Sequence, residues 1–170
     1  MGGFFGVVSK KKDAMLDVFL GTDYHSHLGT RRGGMAVYGE DGFDRAIHNI
    51  ENSPFRTKFE NITAQMKGKV AIGCISDTDP QPLLIRSLHG IYAITIIGKI
   101  NNLDELIDKT LDLRGGHFDA MTSGRINQTE LVAALISQQE NIVDGIKYAQ
   151  AVIEGTCNIL IMMEIGRAHV

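Results

Sequence analysis

Leu83-Leu84-Ile85-Arg86-Ser87-Leu88-His89-Gly90-Ile91-Tyr92-Ala93-Ile94-Thr95-Ile96-Ile97 holds two apolar runs parted by His89-Gly90, a break that turns a chain back on itself as a hairpin. The turn-rich Asp77-Thr78-Asp79-Pro80-Gln81-Pro82 leads into the first run. Upstream, residues 70–75 are almost continuously apolar, as in a strand buried on both faces. Further out, Met35-Ala36-Val37-Tyr38 reads as a strand closed by Gly39-Glu40-Asp41-Gly42. Phe4-Phe5-Gly6-Val7-Val8 reads as another, closed by Ser9-Lys10-Lys11-Lys12, a solvated turn. Between them an amphipathic stretch from Asp13 sets Met15, Leu16 and Phe19 on one face, with Gly21 as its stop.

Downstream the period changes. Leu103, Leu106, Ile107 and Leu111 recur at helical spacing. Asn127 with Glu130 has the form of a capping box opening a helix that carries Leu131, Val132, Leu135 and Ile136. Asn141 with Asp144 opens a further helix aligning Ile142, Ile146, Ala149 and Ile153, and Gly155 ends it. Residues 157–163 read as a last strand. Strands therefore come in adjacent pairs and helices gather after them, which predicts an α+β fold with antiparallel sheets. The final Glu164-Ile165-Gly166-Arg167-Ala168-His169-Val170 breaks the periodicity and matches one frame of a common sequencing adapter. Residues 164–170 are therefore expected to be a processing scar, and residues 1–163 a partial domain.

The 170 residues carry a formal charge of −3, with 44% hydrophobic and 22% charged side chains, an ordinary globular composition. There is no basic excess to neutralise phosphates, so no nucleic-acid partner is expected. No apolar run approaches the ~20 residues that span a bilayer, and the start lacks a basic region followed by an apolar one. A cytoplasmic protein with no membrane partner is the expectation. Two cysteines, Cys74 and Cys157, make neither a disulfide framework nor a metal cluster.

Residue chemistry alone yields no catalytic constellation. Arg31-Arg32-Gly33-Gly34 could offer an anion-binding turn, but alone that is a weak signal, and a solvated turn is the better reading. Gly2-Gly3-Phe4-Phe5-Gly6 is glycine-rich but precedes a strand, so it lacks the context of a phosphate loop. His25 and His27 lack a third metal ligand nearby. Cys74 and Cys157 sit in buried-looking strands with no electropositive neighbour, which predicts inert thiols.

Several segments, taken in order, resemble the class II glutamine amidotransferase domain of the N-terminal-nucleophile fold, in particular the amidophosphoribosyltransferase family. They are the terminal Gly3-Phe4-Phe5-Gly6 strand, Arg32-Gly33 followed by Gly34-Met35-Ala36-Val37, Ala71-Ile72-Gly73, Gln81-Pro82, the run 92–102, and Asn127-Gln128-Thr129-Glu130-Leu131. The resemblance implies a four-layer αββα sandwich of two antiparallel sheets between helices, incomplete at its C-terminus. It also implies a missing C-terminal phosphoribosyltransferase domain as partner, a homo-oligomer in the full protein, a role in purine biosynthesis, and no cofactor or metal in this part.

In that family an N-terminal cysteine thiol attacks the glutamine amide, with its own α-amino group as base. An Asn side chain and a Gly N–H hold the oxyanion, and an Arg and an Asp hold the glutamine backbone groups. This sequence departs at each place. Gly2 stands where the nucleophile belongs. Ile97 replaces the oxyanion Asn, while Gly98 remains. Ser76 falls near the place of the binding Arg, and Gln128 where the amine-binding Asp would be. Arg32, Gly33 and these positions together make a vestigial pocket with no catalytic residue. The expectation is a degenerate glutaminase domain, a pseudoenzyme. Two alternatives stand beside it: an amidohydrolase with a relocated nucleophile, Cys74 or a Ser/Thr, and a regulatory module binding a small metabolite.

Overall fold

The computed structural model describes residues 2–10, 13–114, 117–122 and 124–164. Lys11 and Lys12 of the basic turn, and residues 165–170 of the expected scar, lie outside the described residues. Among those described, the chain runs β1 (Gly2–Val8), α1 (Met15–Tyr24), a 3-10 turn (Ser26–Leu28), β2 (Arg32–Gly39), β3 (Gly42–Asn49), α2 (Phe55–Gln65), β4 (Val70–Ser76), β5 (Leu83–Ser87) and β6 (Gly90–Ile100). It continues through α3 (Leu103–Arg114), the short β7 (Met121–Thr122) and β8 (Arg125–Ile126), α4 (Gln128–Ile136), α5 (Ile142–Val152) and β9 (Gly155–Met163).

The strands form two antiparallel sheets, ordered β1-β4-β2-β3 and β5-β6-β9, with β7-β8 as a small separate ribbon. Side-chain alternation divides each large sheet into an outer and an inner face. On the outer face of the first, Met35, Val37, Ala71 and Ile75 pack under Met15, Val18, Phe19, Phe55 and Phe59 from α1 and α2. On the outer face of the second, Tyr92, Ile94 and Ile96 pack under Leu106, Leu131, Leu135, Ile136 and Ala149 from α3, α4 and α5. Each fully buried side chain of this size contributes about 1.5–3 kcal/mol relative to exposure. The inner faces meet through Ala36, Val70, Ile72, Ala93 and Met162. The result is the expected αββα sandwich. Residues 70–76 are buried throughout, as a strand covered on both faces requires.

Several local expectations need correction. Gly21 does not stop α1, which runs on to Tyr24. The Phe5 ring packs where a side chain at Gly21 would stand. The inward face of α1 is Met15, Val18, Phe19 and Thr22, while Leu16 is 61% exposed. Thr22 is accommodated because its hydroxyl donates back to the Val18 carbonyl (2.7 Å). Asn127 caps α4, but not as a capping box: its Oδ1 accepts from Thr129 N–H (2.8 Å). Glu130 turns away and accepts from the N–H groups of Asp119 and Ala120. Asn141 does cap α5, accepting from Asp144 N–H (2.9 Å). No helix among the described residues is long and apolar enough to cross a membrane.

Candidate functional site

The N-terminal strand lies at the edge of the first sheet, and register puts Gly2, Ser76 and Arg32 side by side across β1, β4 and β2. All three share the inner face with Ala36 and Ile72, because all stand at even spacing from them. Ile97 comes down on Gly2 from the opposing sheet. A Cβ on Gly2 would lie 2.9 Å from Ile97 Cδ1 and would overlap the Ile75 carbonyl oxygen. Glycine is therefore what this strand pairing admits.

The loop from β4 to β5 closes the same end of the sandwich. The Ser76 hydroxyl is held 3.2 Å from Thr78 Oγ1 and accepts from Thr78 N–H. The Arg32 guanidinium donates to the Thr78 carbonyl (3.3 Å). Gln128, the first residue of α4, donates its N–H to Asp79 Oδ2 (3.0 Å). Gly2, Arg32, Ser76 and Ile97 are thus brought together, and Gln128 joins them through Asp79. Gly33 and Gly98 are placed otherwise. Gly33 faces the helical layer, where a Cβ would meet Phe55. Gly98 sits opposite Cys157 in the β6–β9 ladder.

Gln81, part of the Gln81-Pro82 match, and Asp79, which sequence alone reads as surface charge, organise this end. Gln81, 1% exposed, accepts at Oε1 from Thr95 Oγ1, Ile96 N and Thr129 Oγ1 (2.8–2.9 Å), and donates from Nε2 to Ile96 O (2.9 Å). One amide thereby ties the second sheet to α4. The Gln81 main-chain carbonyl accepts from Cys74 Sγ (3.2 Å), and a Cβ on Gly34 would overlap that same oxygen. Asp79 is 7% exposed. The sequence signal for both is a polar pair set among Pro80 and Pro82.

Asp77 and Asp79 titrate in opposite directions. Burial pushes the Asp79 carboxyl up, outweighing Gln128 N–H and the Arg32 charge. Burial also acts on Asp77, but hydrogen bonds that include the N–H groups of Thr30 (2.7 Å) and Arg31 (3.2 Å) outweigh it and hold that carboxyl low. Linkage gives each a sign. The folded state binds more protons at Asp79, so that residue's contribution falls as pH rises through its raised pKa. The contribution of Asp77 is present above the ordinary carboxylate pKa and is lost as pH falls through the lowered one. At pH 7, Asp77→Asn should cost about 1 kcal/mol, whereas Asp79→Asn, which keeps an acceptor for Gln128, should be neutral or stabilising. Urea unfolding from pH 2 to pH 7 checks this; a larger loss at pH 7 for Asp79→Asn would reverse the assignment.

The site brings no thiol to Gly2. Cys74 Sγ is fully buried, and burial pushes that thiol up to about 12 against hydrogen bonds from Thr95 and Gly34. Burial likewise pushes Cys157 up to about 11. His25 Nδ1 and His27 Nδ1 each contact a backbone carbonyl, of Gly21 and Tyr24. Open clefts of about 950 and 550 Å³ lie elsewhere, bordered by neither Gly2 nor Ile97.

Two stacked antiparallel sheets between helical layers, with the N-terminal strand leading into their inner face, define the N-terminal-nucleophile class of fold. Among solved structures the chain is similar to the glutamine phosphoribosylpyrophosphate amidotransferase from B. subtilis complexed with ADP and GMP, at a TM-score of 0.78 and 24% identity over 95% of this chain. It is similar to the allosteric regulatory enzyme of purine biosynthesis at the same TM-score, 23% identity and 95% coverage. The chain spans 35% of the length of each. No protein-family model matches it, and no curated protein does.

Proposed function

We propose that the chain is a degenerate glutaminase-like domain of an amidophosphoribosyltransferase-like, cytoplasmic protein of purine biosynthesis, and that it does not hydrolyse glutamine. The observation that carries this reading is the position of Gly2, whose α-carbon is enclosed by the Ile75 carbonyl and Ile97. Amide hydrolysis by this class of fold needs a nucleophile there, forming a C–S bond to the substrate carbonyl and expelling ammonia. Neither the sulfur nor its space exists. The oxyanion would meet the aliphatic Ile97 in place of an amide donor, and losing one such donor typically costs about 10²–10³ in rate. Ser76 has its hydroxyl engaged by Thr78, and the neighbouring Arg32 guanidinium donates to the Thr78 carbonyl.

What remains is a scaffold: a rigid sandwich that would cap a phosphoribosyl-transfer domain supplied elsewhere in the protein, which would then draw on free ammonia. The purified chain incubated with glutamine should release ammonia at the rate of buffer. A maleimide probe at neutral pH should leave Cys74 unlabelled until denaturant is added. Glutamine turnover that disappears in Cys74→Ala would replace this reading with a relocated nucleophile.

A further inference from the structure

We propose that the free edge of β5 takes an extended acidic peptide as an added strand. Gln81 reveals which backbone groups are free. Its side-chain amide bonds both the N–H and the C=O of Ile96, so Ile96 turns these groups toward the β5 side of β6. Period-two alternation puts those of Ile94, Tyr92 and Gly90 on the same side, facing their register partners Leu83, Ile85 and Ser87. Leu84 and Arg86 must then direct their N–H and C=O outward, and among the described residues β5 is an edge of its sheet. A strand edge with open donors and acceptors is a template for an incoming strand.

This edge has a built surround. Residues 83–88 form one wall of the 950 Å³ cleft, whose other walls are Arg45 of β3, the segment 117–120 and α4. The two sides differ in chemistry. Arg86 shares the inner face with Leu84, and Arg45 stands opposite Ala36 on that same face of the first sheet. Neither arginine forms an ion pair with a described residue, and Arg45 is anchored over the cleft by donating from Nη1 to the Pro82 carbonyl (3.3 Å). On the other side lie Phe118, Ala133 and Ala134, apolar and mostly small, with the Asp119 carboxylate held 3.0 Å from His117 Nε2. Glu130 on that side is already engaged by Asp119 N–H and Ala120 N–H. Leu88, 91% exposed, stands at the end of the cleft as an apolar contact for a partner. A strand laid on β5 alternates its side chains between these sides, so the matching sequence alternates carboxylates with small apolar residues. The two arginines select against a basic peptide.

The test is fluorescence anisotropy with a labelled heptapeptide alternating glutamate and alanine, its lysine–alanine counterpart, and the acidic peptide with N-methylated backbone amides. The acidic peptide should bind, and should weaken roughly tenfold or more in Arg45→Ala and Arg86→Ala. Binding should also weaken when salt is raised from about 0.05 to 0.3 M. The lysine peptide and the N-methylated peptide should not bind. Arg86→Pro should fold, since it removes only an outward N–H, and should abolish binding. Absence of acidic-peptide binding, equal binding of the lysine peptide, or unchanged affinity after N-methylation would each overturn the proposal. Unfolding of Arg86→Pro while Arg86→Ala stays folded would overturn the assignment of the free edge.

Discussion

Replacing Gln81 by leucine is expected to lower stability by about 3–5 kcal/mol, enough to unfold much of the domain near physiological temperature. The two side chains are similar in size, so the loss comes from polarity rather than from a cavity. Four hydrogen bonds disappear together. They strand the N–H and C=O of Ile96 and the hydroxyls of Thr95 and Thr129, both threonines being fully buried. A buried polar group left without a partner costs about 1–3 kcal/mol, more than a typical hydrogen bond contributes net. Adding Thr95→Val and Thr129→Val to Gln81→Leu should therefore recover part of the loss, because it removes two of the stranded groups. Urea unfolding of the single and triple variants measures both effects. A single-variant loss below about 1 kcal/mol would mean that water takes the place of the amide.

The same network explains what could be read from the sequence and what could not. The β5–β6 hairpin and β4 were legible because each is a short apolar run bounded by turn residues, a signal that needs no distant partner. α5 was legible because Asn141 caps it locally. β3 and α2 carried no such signal. β3 is an edge strand in which Asp44, Arg45 and His48 break any alternation of apolar residues, and α2 is anchored mainly by Phe55 and Phe59. Glu130 looked like a capping partner for Asn127, yet its better partners, the N–H groups of Asp119 and Ala120, come from a segment whose position sequence spacing does not reveal. Gln81 and Asp79 were hidden for the same reason. Gln81 binds residues 14 to 48 positions away, and Asp79 is capped by a residue 49 away.

The row at Gly2 is legible in part through order rather than chemistry. Gly2, Ser76 and Arg32 match the resembled family by their order along the chain, and the antiparallel register sets them in one row. Gly33 matches by the same order but faces Phe55, because neighbours on a strand point to opposite sides of its sheet. A motif spelled along one strand therefore mixes two surfaces, and only alternate positions belong to a site between the sheets.

Installing a cysteine at position 2 is expected to yield no glutaminase and a less stable protein. The obstacle is the Cβ before it is the thiol, since the added carbon overlaps the Ile75 carbonyl oxygen within the β1–β4 pairing. Gly2→Ala should consequently cost nearly as much as Gly2→Cys, about 1–3 kcal/mol for forcing an added group into a packed strand pair. Ile97→Asn would clear the second contact and supply an amide donor where the proposed reading puts the lost oxyanion partner, worth about 10²–10³ in rate if the nucleophile were in place. It leaves the Ile75 oxygen where it is. Gly2→Cys with Ile97→Asn should thus regain some stability over Gly2→Cys and still release ammonia from glutamine at the blank rate. Ser76→Arg would not repair this, because it removes the hydroxyl that Thr78 uses to shape the loop. Ammonia release and urea midpoints for the alanine, cysteine and double variants separate the two causes. Were Gly2→Cys alone to hydrolyse glutamine, with activity abolished by alkylation, the strand would have room for the nucleophile and the domain would lack a single side chain rather than the geometry for catalysis.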